Sequence, residues 1–193
     1  MRFVDEGLNY HPEDHVSKNE FNTSGIFQTK PNRYNGDDLV AGTVGKTDIM
    51  FSEIDAKHVS GSGKNRRVRQ IFKGLFFVAD FNKHFSGKTV VVSDVAEKMF
   101  GGFGKMLQSM NVFRGQLIKL EDPEFEKMFA VYGDDQIEAR YILSTSLMER
   151  MLNFRKDTGK AIQFSFVGSK IYIAIPYSKR LFEPKIFNTL LDF

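Results

Sequence analysis

The chain has 193 residues, 41% hydrophobic and 26% charged, which is the composition of one soluble globular domain. It contains no cysteine, so disulfides, thiol nucleophiles and thiolate metal sites are excluded. Its net charge of +3 is too small to indicate a nucleic-acid partner, and no apolar run approaches the ~20 residues needed to span a bilayer.

The start of the chain is polar, and strand patterns follow it. Residues 1–23 are aperiodic, and we assign them to a polar N-terminal arm in front of a single α+β domain at 24–193. Residues 39–44 and 48–56 flank a turn at Gly45 and predict a hairpin.

A long strand is predicted over residues 68–81. Apolar residues run without alternation near its end, so both of its faces should be covered. We then predict a short strand at 89–92, a helix at 95–110 and a further strand at 111–120. Three glycines in residues 95–110 weaken the prediction of this helix, because glycine has a low helix propensity.

The segment 120–150 carries the densest local signals. Asp122 followed by Pro123 predicts a helix start, because the carboxylate caps free N–H groups and proline fits the first helical position. A short strand is predicted next, at 129–132. Asp135 and Glu138 have capping-box spacing, which predicts a second helix start with the Glu138 carboxylate reaching back to the Asp135 N–H.

The strongest helix pattern lies near residues 144–158, capped by Ser144 or Ser146 and ended by a glycine. Residues 162–167 and 170–175 then predict a hairpin. Strands outnumber helices and short turns join them, so the predicted fold class is α+β. We expect a mostly antiparallel, strongly curved sheet, either open or partly closed into a barrel, with a few helices.

Charge is distributed unevenly along the chain. Residues 57–88 contain eight bases and one acid, a charge of +7 that leaves −4 for the rest. The most compact part, which holds Lys64, Arg66, Arg67 and Arg69, is a candidate surface for acidic lipid head groups, nucleic acid or an acidic protein. Base stacking is poorly supported because no aromatic residue interleaves these bases. The alternative is a solvated loop that enters a strand.

A candidate acidic site comprises Asp134, Asp135 and Glu138. These carboxylates suit acid–base work or a divalent cation, with Arg140 as an anion clamp. The alternative is architectural: the acids cap helix starts, and Arg140 binds a local carboxylate or helix-end carbonyl and pins the apolar residues 141–143 against the last helix. In that case Glu138→Gln is mild and Arg140→Ala costs about 1–3 kcal/mol.

No cofactor or metal motif is complete. The glycine- and serine-rich residues 60–65 lack the first glycine and the final Ser or Thr of a phosphate loop. His11 and His15 are four residues apart, but Pro12 lies between them and disfavours a chelating helix. We therefore predict no cofactor and no metal.

Six short blocks point to a family, and Glu138-Ala139-Arg140-Tyr141 lies in the most specific of them. The blocks are residues 74–83, 120–126, 131–132, 135–143, 148–150 and 182–184. In these blocks the chain resembles a bacterial family of domains of unknown function, number 3137 in that series, over roughly residues 21–187. One departure is Ser144-Thr145, where similar sequences tend to carry Thr-Pro; it keeps a helix cap.

The resemblance implies no activity and no catalytic residues, because none are assigned to the family. It also implies that longer members carry a pair of membrane-spanning segments before this domain. By resemblance, this chain is expected to be the soluble part of a membrane-tethered protein, with Met1 at a boundary or at the start of a short variant.

We therefore predict a non-enzymatic binding or interaction module that works in the bacterial cytoplasm, at or near the inner membrane. Its expected partner is a protein or an anionic membrane surface, and not nucleic acid. Membrane segments outside this chain would tether it. The alternative is a hydrolase or metal-dependent enzyme that uses the acidic site.

Overall fold

The structure, a computed structural model, describes residues 7–93 and 115–178. The nine strands in these residues form one antiparallel sheet in the order β1-β2-β3-β4-β9-β8-β5-β7-β6. The strands are β1 Leu8–His11, β2 Arg33–Val44, β3 Thr47–Ser60, β4 Arg67–Asp80, β5 Lys88–Ser93, β6 Gln116–Ile118, β7 Phe129–Gly133, β8 Gln163–Val167 and β9 Lys170–Pro176. The helices are α1 Lys18–Thr23, α2 Pro123–Met128, α3 Gln136–Ile142 and α4 Thr145–Thr158.

The predicted α+β class with a mostly antiparallel sheet is confirmed. In residues 7–93 and 115–178 the sheet is open, with β1 and β6 as its edges, and it does not close into a barrel. The strong curvature stays a prediction. In the described residues, no helix is both long enough and apolar enough to cross a bilayer.

Local sequence signals placed several elements correctly. The predicted hairpin is β2–β3, the long strand is β4, and the last hairpin is β8–β9. The main helix is α4, capped by the Ser144 side chain and ended by Gly159, which has a left-handed φ of 63°. The helix predicted at 95–110 and the block at 182–184 lie outside the described residues. Within the strand predicted at 111–120, residues 116–118 form β6.

We assigned residues 8–23 to an arm because they are polar, but β1 is an edge strand of the sheet and α1 packs against the sheet. β1 pairs with β2, with Tyr10 opposite Val40, and α1 begins after the cap residue Ser17. Val16 and Phe21 are each 1% exposed and pack in the core. Two apolar residues five positions apart set no period, so the sequence alone did not reveal this burial.

The sheet separates two hydrophobic cores. On one face α2, α3 and α4 cover a core that includes Phe125, Ile142 and Met151. On the other face α1 covers a core that includes Phe21 and Phe76. β4 contributes to both cores, because its successive side chains point to opposite faces. This accounts for the unbroken apolar run near the end of β4.

Candidate functional site

The candidate basic site lies at the connection between β3 and β4, which residues 61–66 form. Residues Gly63–Asn65 make one turn of 3-10 helix. Gly61 has a φ of +72°, and a Cβ there would lie 2.4 Å from the Asn65 carbonyl oxygen, so the tight connection requires glycine. This turn places four exposed bases together, which we call the basic tip: Lys64, Arg66, Arg67 and Arg69.

Strand register sets the directions of the tip side chains. Arg69 lies opposite His58 on β3, and Arg67 lies opposite Ser60. Val68 lies between the two arginines and points to the other face, where its side chain is 55% exposed. The strand part of the tip therefore presents Arg67 and Arg69 on one face of a protruding hairpin and Val68 on the other.

None of the four tip side chains has an ion-pair or hydrogen-bond partner among the described residues. A nearby acid on β3, Asp55, is engaged with other groups: Lys57 binds it at 2.6 Å, and Gln70 donates to it at 2.8 Å. Burial raises the pKa of Asp55, but the hydrogen bonds from Lys57 and Gln70 outweigh burial, and the net pKa is lowered. Within the described residues, no acid neutralises the charge of the tip.

The three carboxylates of the candidate acidic site are all bound to backbone N–H groups. Asp135 is the N-cap of α3 and accepts from the Ile137 N–H at 2.7 Å and the Glu138 N–H at 3.1 Å. This confirms the predicted helix start. Asp134 accepts from the Lys88 N–H at 3.0 Å.

The other half of the predicted capping box is wrong. The two Glu138 oxygens accept from the Ser86 N–H at 2.7 Å and from the Gly87 N–H at 2.8 Å. Glu138 and Asp134 therefore hold three consecutive amides, two in the β4–β5 loop and one at the start of β5, about fifty positions earlier in the chain. In the described residues, no group of three or more His, Asp or Glu side chains is arranged to hold a metal ion.

Arg140 has no carboxylate partner among the residues that the structure describes. Its Nη2 donates to the Lys119 carbonyl oxygen at 3.1 Å, and the side chain is exposed. The three apolar residues after Arg140 differ in burial: Ile142 and Leu143 are buried, whereas Tyr141 is 70% exposed. The expectation that Arg140 pins residues 141–143 against the last helix is therefore wrong for Tyr141.

Sequence reasoning missed a third feature, a groove beside Tyr141. It is lined by side chains of the β4–β5 loop, of α3 and of α4, among them Lys83 and Arg150. The sequence did contain a signal for exposed apolar surface beside this groove. Ile137 and Tyr141 are one helical turn apart on α3, on the side away from the buried Ala139.

Comparison with known proteins gives a family without an assigned activity. The sequence model described as a protein of unknown function (DUF3137) matches residues 70–193. No curated protein and no solved structure matches the chain. The match includes the acidic site and the groove, and it begins one residue after the basic tip ends. Because it spans more than half of the sequence, the chain belongs to the DUF3137 family of proteins of unknown function.

Proposed function

We propose that this chain is a non-enzymatic binding module that contacts an anionic membrane surface through the basic tip. The observation that carries the proposal is the set of four exposed bases at the end of a protruding hairpin, none paired with an acid among the described residues. Such a surface suits the cytoplasmic leaflet, where anionic lipids create a negative potential.

The basic tip alone binds an anionic membrane only weakly. Each base near an anionic surface contributes about 1 kcal/mol, so four bases contribute about 4 kcal/mol, which corresponds to millimolar affinity. Val68 is 55% exposed and adds a small apolar term if it enters the head-group region. The tip therefore works as a second contact beside another anchor, a role that fits a tether through membrane segments outside this chain.

The geometry of the acidic site supports a module rather than an enzyme. A general acid or base needs a carboxylate that can reach the substrate. The Asp134, Asp135 and Glu138 carboxylates instead accept backbone N–H groups that fix a loop and a helix start. Their observed bonds are architectural.

The test is sedimentation with phosphatidylcholine vesicles that contain or lack phosphatidylserine. The protein should bind only the anionic vesicles, and added salt should weaken binding. The triple variant Arg66→Ala, Arg67→Ala, Arg69→Ala should lose about 3 kcal/mol, roughly 100-fold in affinity, so it should not sediment detectably at the millimolar lipid concentration that binds the parent.

The matched control removes three exposed bases elsewhere, with Lys46→Ala, Lys119→Ala and Lys127→Ala. Lys46 lies in the β2–β3 turn, at the opposite end of the fourteen-residue strand β3. Both triple variants lose the same net charge, so a local contact predicts that the control binds like the parent. Equal binding of the parent to both vesicle types, or to neither, contradicts the proposal, as does equal weakening of both variants.

A further inference from the structure

We infer that the groove between the β4–β5 loop and the α3–α4 corner is a docking site for an acidic, apolar segment of a partner protein. The groove has a volume of about 370 Å³. Its chemistry comes from four apolar or aromatic side chains and two bases: Phe81, Phe85, Tyr141, Leu147, Lys83 and Arg150. The inference does not depend on the basic tip, which lies at the other end of β4.

Intramolecular contacts hold the two phenylalanines of the groove, Phe81 and Phe85, in place without a partner. The Phe81 N–H donates to the Ser169 carbonyl at 2.7 Å, and the Phe85 N–H donates to the Gly168 carbonyl at 2.6 Å. The two phenylalanine rings contact each other and Phe166, with centroids 5.3 to 5.8 Å apart. A rigid site of this kind loses little entropy on binding.

Exposed apolar surface continues from the groove along α3. Ile137 is 81% exposed and Tyr141 is 70% exposed, and they are one turn apart on the same side of the helix. This surface extends past the groove, so it suits a peptide segment better than a small molecule. Tyrosine and arginine are also the residue types that most often dominate protein interfaces.

The positive charge of the groove favours an acidic partner segment. The Lys83 ammonium lies 5.0 Å from the centre of the Tyr141 ring, and neither Lys83 nor Arg150 has an ion-pair partner among the described residues. No acid from the described part of the chain lines the groove. Glu138 is one turn before Ile142 on α3, but its oxygens accept the Ser86 and Gly87 N–H groups. The groove thus complements a carboxylate flanked by apolar side chains.

The test starts from an unbiased probe, a phage library of random dodecapeptides selected on the whole chain and counter-selected on the Arg150→Gln variant. We expect enriched sequences that place Asp or Glu beside aromatic or aliphatic residues. The enriched peptide and its Glu→Gln or Asp→Asn analogue are then titrated by fluorescence anisotropy. The amide analogue should bind at least tenfold more weakly, and so should the acidic peptide to Arg150→Gln or to Lys83→Gln.

The matched control is Arg67→Gln in the basic tip, which should bind the peptide like the parent. Three outcomes overturn the inference: no enrichment over the Arg150→Gln variant, enriched sequences without an acid, or equal affinity for the acidic and amide peptides. If Arg150→Gln reduces binding to anionic vesicles as strongly as the tip variants do, the groove is a lipid contact and the inference is also wrong. Failure of the tip variants on vesicles leaves this inference untouched.

Discussion

Glu138→Gln was expected from the sequence to be mild, but it should destabilise the protein, because Glu138 bonds the β4–β5 loop to α3 and not its own helix start. Its two oxygens accept separate N–H groups, from Ser86 at 2.7 Å and from Gly87 at 2.8 Å. Glutamine keeps one acceptor oxygen and replaces the other with an NH₂ donor. One backbone N–H would then face a donor, and the loop would have to move to recover a bond.

The expected loss follows from these two bonds. A hydrogen bond to a charged group contributes about 1.5–3 kcal/mol, and partial exposure of this site favours the lower end. Glu138→Gln loses one bond and the charge assistance of the other, so the free energy of unfolding should fall by about 2 kcal/mol. For a chain of this length, that corresponds to a lowering of Tm by roughly 4–8 °C.

The assay is thermal and urea unfolding followed by circular dichroism, with Glu149→Gln as the matched control. Glu149 is an exposed acid on α4 whose side chain has no hydrogen-bond partner among the described residues, so its variant should change Tm by less than about 1 °C. If Glu138→Gln matches this control, the two bonds of Glu138 contribute nothing and the account of the acidic site is wrong.

Three further predictions follow from the same structure. Arg140→Ala should lower the free energy of unfolding by less than about 1 kcal/mol in urea titrations, because the side chain is exposed and donates one bond; a larger loss than that of Glu138→Gln would reverse the ranking. Burial and Glu20 raise the pKa of Tyr172, so the folded protein keeps the phenol protonated while the unfolded chain ionises above pH about 10. Stability should therefore be complete below that pH and fall as pH rises past it, less steeply in Tyr172→Phe; identical slopes would contradict this. EDTA should leave Tm unchanged, and a drop of several degrees that zinc restores would reveal a structural metal.

Sequence predicted those elements whose signals are local. Asp122 and Pro123 start α2, and Ser144 caps α4, because a cap and its amides lie within three residues of each other. The β2–β3 and β8–β9 hairpins were predicted for the same reason: a glycine turn lies directly between two apolar runs.

The remaining features depend on contacts between distant residues. Glu138 was expected to bond within its own helix start, yet it binds amides about fifty positions earlier, and no local spacing encodes that distance. The strand order also depends on contacts between residues far apart in the chain, since β9 pairs with β4 and β5 lies between β8 and β7. The bases of the tip were identified as a cluster, but the positions of Arg67 and Arg69 opposite Ser60 and His58 required the β3–β4 register.

The central claim, membrane contact through the basic tip, is tested most directly by a label at the tip itself. The chain has no cysteine, so Ser62→Cys in the β3–β4 turn and Lys46→Cys in the β2–β3 turn each give one site for an environment-sensitive dye. The two turns lie at opposite ends of β3, roughly 40 Å apart at about 3.3 Å per residue.

The measurement is dye emission with anionic and neutral vesicles. We predict that emission from the label at position 62 shifts to the blue on anionic vesicles only, that salt reverses the shift, and that the label at position 46 does not respond. Equal shifts at both positions, or a shift at position 46 alone, would contradict the account.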